Sequence, residues 1–315
     1  MKEYGGYIEL DTYHLPMLHE SAIALNCGRN CLAYLIEARH IRKILLPYYM
    51  CSSVTDLLRK YDVKMQFYHV DKLFRPQISS LEDDCWLYVM NYFGQLTIKE
   101  LSAMKETYDR VIVDYAQAYF QAPVPKTDTL YTCRKYFGVA DGAFLYTDAV
   151  AVTDYPQDES FERMHFLLGR YERTASEFYA EYTANNNLFA SEPIKRMSKL
   201  TYNLLHGLDY EYVKRKRSEN YKLYVEMLGP YNQLSLRGIE GAFAYPLLVH
   251  DGAAIRKALQ QMKIYIPLLW PNVLDTVDSE SIDYYLAKNI LPLPCDQRYQ
   301  SEDICCIADQ IIQYL

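Results

Sequence analysis

Short stretches that are apolar at nearly every position recur through the first half of the chain. Ile44-Leu45-Leu46, the run from 85 to 93 and Val111-Ile112-Val113 are the clearest. A strand with one wet face alternates apolar and polar residues, so a strand that is apolar throughout is buried on both faces. Helix-like stretches at 29–40, 53–61 and 98–108 separate the strand-like runs at 43–47, 63–70, 85–93 and 111–116. That alternation predicts an α/β fold with a mainly parallel central sheet and helices on both faces. Ligands in such sheets gather at the carboxyl ends of the strands.

After residue 118 the rhythm changes. Short strands at 127–133 and 143–147 flank turns at Gly138 and Gly142. A long helical region follows, broken near Asn185-Asn186-Asn187 and at Pro193, and Gly229-Pro230 ends it. A strand at 243–249, a helix to 262, a strand at 264–269 and a last helix from 301 complete the reading. The chain thus divides into a large α/β domain, 1–199, and a smaller C-terminal α+β domain, 200–315.

Composition narrows the function classes. A net charge of −7 runs against broad nucleic-acid binding, which needs a basic face. The basic run Lys214-Arg215-Lys216-Arg217, flanked by Glu211 and Glu219, reads as a solvated helix face. The opening ten residues lack the apolar core of a signal peptide, and no stretch has the length of a membrane span. A cytoplasmic protein with reduced cysteines is expected, since the eight cysteines contain no CxxC pair. Cys27 and Cys31 share a helical spacing but lack the second half of a zinc site. Tyrosine, 32 residues, is in excess and suits helix packing or a partly wet subunit interface.

Asp114 ends the apolar run Val111-Ile112-Val113, and Lys135 follows in Thr132-Cys133-Arg134-Lys135-Tyr136-Phe137-Gly138. A desolvated lysine that readily loses its proton is the nucleophile that captures an aldehyde cofactor. A carboxylate keeps a pyridine nitrogen protonated, so the pair suits pyridoxal 5'-phosphate. Cys27-Gly28-Arg29-Asn30 precedes a helix, and a helix start presents N–H groups to an anion such as a phosphate. The plainer reading of that turn is a glycine-assisted helix start with Asn30 near the cap. Thr132 adds a hydroxyl from the other side. Gln117 reads equally as a partner of a ring hydroxyl or substrate and as a loop amide. Cys51, between a strand and a helix, sits where a side chain covers one face of a ring, or else is a small buried thiol. Arg29, Arg134 and the basic run are the cations available to an anionic substrate.

In this order, these segments resemble the DegT-type sugar aminotransferases, a family of fold-type-I pyridoxal-phosphate enzymes. The resemblance also includes the Leu46-Pro47 to Val54 segment, Asn91-Tyr92-Phe93-Gly94, Phe137-Gly138-Val139-Ala140-Asp141-Gly142-Ala143, Ile266-Pro267-Leu268-Leu269-Trp270-Pro271 and Leu291-Pro292-Leu293-Pro294-Cys295-Asp296-Gln297-Arg298-Tyr299. It implies the fold-type-I architecture, a homodimer, and transfer of an amino group from an amino acid, glutamate foremost, to a keto sugar carried on a nucleotide. By the same resemblance Lys135 is the Schiff-base residue, Asp114 meets the pyridine nitrogen and Gln117 the ring hydroxyl. Gly28, Arg29, Asn30 and Thr132 lie about the phosphate, and Cys51 takes the ring-stacking position.

The chain departs from the family in three places. Phe137-Gly138-Val139-Ala140-Asp141-Gly142 replaces a Gly-Glu-Gly-Gly turn, Gln117 replaces a histidine and Cys51 an aromatic. No Asn-x-Arg segment from a partner subunit is evident, although Asn185 to Asn187 fall nearby. Two other readings stay open: a pyridoxal-phosphate enzyme with dehydratase or decarboxylase chemistry, and a non-catalytic regulatory protein on the same fold.

Overall fold

The computed structural model describes residues 4–151 and 153–315. Met1, Lys2 and Glu3, the start of the segment read above for a leader, lie outside the described residues.

The elements of the larger unit are, in order, β1 (Ile23–Leu25), α1 (Gly28–Ala38), β2 (Lys43–Pro47), α2 (Ser52–Lys60), β3 (Lys64–Val70), β4 (Pro76–Gln77) and β5 (Trp86–Met90). They continue with α3 (Ile98–Tyr108), β6 (Val111–Asp114), β7 (Asp128–Thr132) and β8 (Ala143–Tyr146). These strands form one sheet in the order β1-β8-β7-β6-β5-β2-β3-β4. The central pairings, β3 to β2, β2 to β5, β5 to β6 and β6 to β7, are parallel, and the outer ones are antiparallel.

Side chains along a strand alternate faces, and here both faces are covered. Ile44, Leu46, Tyr88, Ile112, Leu130 and Leu145 pack with the buried stripes of α1 and α2. Their neighbours Leu45, Leu87, Val89, Val111, Val113 and Phe144 pack on the opposite side with Leu101 of α3. This is why the strands carry no polar alternation.

Next come α4 (His165–Glu172), α5 (Tyr179–Leu188), α6 (Lys199–Leu205) and α7 (Tyr210–Leu228). The C-terminal part holds β9 (Ala244–Leu248), α8 (Gly252–Gln261), α9 (Val273–Thr276), α10 (Ile282–Asn289), β10 (Ile290–Pro294) and α11 (Ser301–Ile312). Antiparallel β9 and β10 make a second sheet, covered by apolar residues of α7, α8 and α11. No helix among the described residues is long and apolar enough to cross a membrane.

Four expectations change. The helical region is not broken at Asn185-Asn186-Asn187, since α5 runs through them to Leu188. The segment 264–269 forms no strand; Pro267 interrupts it and Trp270 closes it at φ +61. The strand at 290–294, seen in the sequence only as a proline-spaced motif, pairs with β9 despite its prolines. The basic run is not wholly solvated: Lys214 pairs with Glu240 and Arg215 lies toward Glu219, but Arg217 is 1% exposed. Part of the tyrosine excess is internal, with Tyr88, Tyr92, Tyr115, Tyr119 and Tyr131 fully buried about the sheet. Most of these bury a hydroxyl against a carbonyl or carboxylate, as Tyr92 does on Tyr49 O at 2.6 Å.

Candidate active site at the carboxyl ends of the sheet

Parallel strands end on the same edge, and four connections meet there: β1 to α1, β2 to α2, β6 to β7, and the loop between β7 and β8. That last loop carries Lys135. Its start is a single tight turn in which the N–H groups of Tyr136 and Phe137 both donate to Cys133 O at 2.9 Å. Its end returns through Gly142, whose φ of +113 is a conformation that suits glycine. Gly142 N–H donates to Asn26 O at 2.6 Å, which ties this loop to the entry of α1. Asp141 anchors it from below, accepting from Ser198 N and Ser198 Oγ at 2.7 Å and from the Thr201 hydroxyl. The Asp141-Gly142 pair that departs from the family turn therefore fastens the loop to the start of α6.

α1 begins after Cys27, an extended residue that gives no side-chain cap. The first N–H groups of a helix have no intrahelical acceptor, so an uncapped start is a seat for an anion. A Cβ built on Gly28 stands 3.8 Å from the Thr132 Cβ, so the glycine leaves a gap between the helix start and the threonine. Arg29 donates to Asn186 O at 3.3 Å, and Arg134 donates to the Asn186 side-chain oxygen. Arg134 also lies 4.7 Å over the Phe189 ring. Neither arginine forms an ion pair among the described residues. Burial lowers the Arg134 pKa, and the Arg29 charge adds to that, so two cations without carboxylates flank the helix start.

Asp114 is buried at the end of β6. Tyr88 Oη donates to its Oδ2 at 2.7 Å and Ala116 N–H to its Oδ1 at 2.7 Å. Burial pushes the carboxyl above its ordinary range, opposed by the Lys135 charge and by those two donors. Lys135 is exposed to the cleft yet ringed by protein, and desolvation lowers its pKa while Asp114 and Cys51 pull it back up. Its Nζ lies 5.5 Å from the centre of the Phe243 ring. The structure thus sets a readily deprotonated amine within the field of a buried carboxylate.

Gln117 is fully buried, and its Oε1 accepts the Phe93 N–H at 2.9 Å. Only the oxygen end can accept from a backbone N–H, so the amide orientation is set. Its Nε2 is buried with no hydrogen-bond partner among the described residues. An orphaned buried donor costs about 1–3 kcal/mol, which a ligand acceptor would offset. Cys51 caps α2 by position, without a side-chain bond, and its sulfur is close enough to Lys135 to act on its charge. Asn30 sits differently from the rest: its Nδ2 is taken up by Asn26 Oδ1 at 2.8 Å and Pro193 O at 2.7 Å. Its amide braces the turn from behind. Nor does it cap the helix, which begins after Cys27.

The structure therefore brings Gly28, Arg29, Cys51, Asp114, Gln117, Thr132 and Lys135 to one edge of the sheet. Asn185 donates to Ala140 O at 2.9 Å and leaves its Oδ1 buried without a partner among the described residues. Arg134 was one of three cationic sites open in the sequence, and it stands at the cradle while the basic run lies on α7. Phe243 had no signal, because its approach to Lys135 is made by a segment more than a hundred residues away. All eight cysteines are free, and the described residues hold no group of three or more His, Cys, Asp or Glu fit for a metal.

No protein-family model and no curated protein sequence matches the chain. Solved structures do. An aminotransferase described as DegT DnrJ EryC1 StrS, from Brucella abortus, aligns with 93% of this chain and 85% of its own at a TM-score of 0.63 and 14% identity. PseC of Helicobacter pylori, an aminotransferase of pseudoaminic acid biosynthesis, aligns at 0.65 and 13%, covering 93% and 86%. DesV of S. venezuelae, solved with a ketimine intermediate, aligns at 0.66 and 12%, covering 93% and 84%. The chain has the fold that these aminotransferases share, fold type I of the pyridoxal-phosphate enzymes.

Proposed function

We propose that this protein is a pyridoxal-phosphate-dependent aminotransferase that moves an amino group from an amino acid, with glutamate the first donor to test, to a keto sugar linked to a nucleotide. The observation that carries the reading is the Asp114 and Lys135 pair at the strand ends, a desolvated amine facing a buried carboxylate. The fit of the cofactor rests on the orphaned Gln117 Nε2 and on the gap that Gly28 leaves opposite Thr132. The solved structures of the same fold are aminotransferases, several of them of sugars.

When bound, the cofactor supplies an aldehyde carbon and an electron-accepting ring. The start of α1, Thr132, Arg29 and Arg134 hold its phosphate. Asp114 would accept a hydrogen bond from the protonated ring nitrogen, and Tyr88 Oη and Ala116 N–H keep that carboxylate oriented. Gln117 Nε2 donates to the ring hydroxyl. Cys51 lies on the ring face that an aromatic covers elsewhere in the family. Lys135 Nζ would hold or release a proton beside the bound cofactor, a role suited to an amine whose proton is held weakly.

We take 1–199 as the cofactor domain and 200–315 as the smaller domain of a cytoplasmic homodimer. Exposed apolar residues on the N-terminal segment, among them Tyr7 at 97% and Ile8 at 92%, support a second copy as their cover. Purified protein given pyridoxal phosphate is expected to show a lysine-linked chromophore that glutamate converts to the amine form, with release of the 2-oxoacid. A panel of nucleotide-linked keto sugars then regenerates the chromophore. An unchanged spectrum in Lys135→Ala sinks the assignment.

A further inference from the structure

The geometry points to Arg217, acting with Gln297, as the positioning residue that holds Lys135 and the ring facing it. This rests on the aminotransferase reading. Arg217 comes from the middle of α7 and is fully buried, and Gln297 follows β10. The carbonyl of Tyr136, the residue next to Lys135, accepts from both: from Arg217 Nη2 at 3.1 Å and from Gln297 Nε2 at 3.0 Å. Arg217 Nε donates to Gln297 Oε1 at 2.9 Å, so one side chain also orients the other. The remaining arm of the fork, Nη1, reaches Ala242 O at 2.9 Å and Phe243 O at 3.5 Å. Phe243 is the residue whose ring lies against the Lys135 amine.

One planar cation therefore ties together two backbone segments, the carbonyl next to Lys135 and the Ala242-Phe243 stretch whose ring lies against its amine. Its guanidinium also stacks 4.6 Å from the centre of the Tyr136 ring, which closes the remaining direction of movement. A lysine has three donors on a single point and cannot span Tyr136 O, Ala242 O and Gln297 together. Arg217 makes no direct ion pair among the described residues; its charge acts on Asp296 only from a distance, and a buried cation held that way is a poor source of stability. Simple domain packing is served as well by an apolar residue of similar volume. Holding a reacting amine within a fraction of an ångström calls for a fork of directed donors.

The test compares wild type with Arg217→Lys and with Gln297→Leu, the milder change that leaves the cation in place. Two measurements are made. In the ligand-free chain, the pH profile of Lys135 acetylation by acetic anhydride is read by peptide mass against surface-exposed Lys257 as the internal standard. In protein loaded with pyridoxal phosphate, the rate of the glutamate half-reaction is measured per bound cofactor. Both variants are expected to shift the midpoint of Lys135 acetylation. They should also lower kcat by about a hundredfold in Arg217→Lys, with KM for glutamate changed less than about threefold. A lower melting temperature with an unmoved acetylation midpoint and wild-type kcat overturns the proposal and leaves Arg217 as a tie between domains. If wild type takes up no pyridoxal phosphate, the aminotransferase reading fails, and the acetylation profile still decides whether the pair positions Lys135.

Discussion

Tyr88→Phe tests how the site manages its buried carboxylate. Tyr88 is 2% exposed, and phenylalanine fills its volume, so the change removes little besides the 2.7 Å bond from Oη to Asp114 Oδ2. A hydrogen bond to a charged group contributes about 1.5–3 kcal/mol. The Ala116 N–H and the Lys135 charge remain. Burial already holds the Asp114 carboxyl above its ordinary range, and Tyr88 is one of the groups pulling it down, so the substitution pushes it further up. A carboxyl whose folded pKa lies above its unfolded value stabilises the fold below the unfolded pKa and loses that contribution as pH rises through the folded one. Ligand-free Tyr88→Phe should thus match wild type most closely in acid and fall behind by about 1.5–3 kcal/mol at neutral pH. Urea denaturation across that range reads the gap directly. Pyridoxal-phosphate affinity should weaken by about tenfold to a hundredfold, since about 1.4 kcal/mol is a decade. A stability gap of the same size in acid and at neutral pH refutes the reasoning.

Gly28→Ala should leave thermal stability intact or slightly raised, because its Cβ meets Thr132 and Leu130 only at 3.8 and 4.0 Å, while calorimetry shows weaker cofactor binding. Gln117→Leu strips the acceptor from the Phe93 N–H but also removes the orphaned Nε2, so the two terms of about 1–3 kcal/mol oppose each other; ligand-free stability in urea should change by less than either, while cofactor binding weakens. Gly142→Ala forces φ +113 on a residue whose Cβ stands 3.0 Å from Thr201 Cγ2, and should cost about 1–3 kcal/mol in chemical denaturation. His19 is buried against Tyr131 and Tyr119 O, and burial lowers its pKa from 6.5 to about 4. A histidine depressed in this way stabilises the fold above its unfolded pKa and loses that contribution as pH falls toward 4, here about 3 kcal/mol, so His19→Gln should flatten stability over that interval.

Several parts of this molecule can be read from local sequence. The apolar runs at 44–46 and 111–113 announce a sheet buried on both faces, and the bounds of β2 and α3 agree with the sequence to the residue. Lys135, Asp114, Gln117 and Thr132 stood out as candidates because each was expected at or just past the end of a strand, where an α/β sheet gathers its ligands, and the structure places them there. Helix position alone does not say which way the Asn30 side chain turns; in the structure its amide donates to Asn26 and Pro193. The segment 264–269 misled because apolar residues resemble a strand wherever they stand, and only pairing makes them one.

What the chain composes locally is thus the order of elements and the residue types that chemistry requires at their ends. Which distant groups surround those residues was settled in three dimensions. Arg217 reads as one more charge on a solvated helix until α7 packs and its fork meets the carbonyl beside Lys135. Tyr88 is one tyrosine among 32 until β5 and β6 pair and set its hydroxyl on Asp114. Hydrophobic periodicity reports only burial, a property of each residue and its neighbours along the chain. Hydrogen bonds and charge fields depend on distances between segments far apart in sequence, and those exist only once the chain has folded.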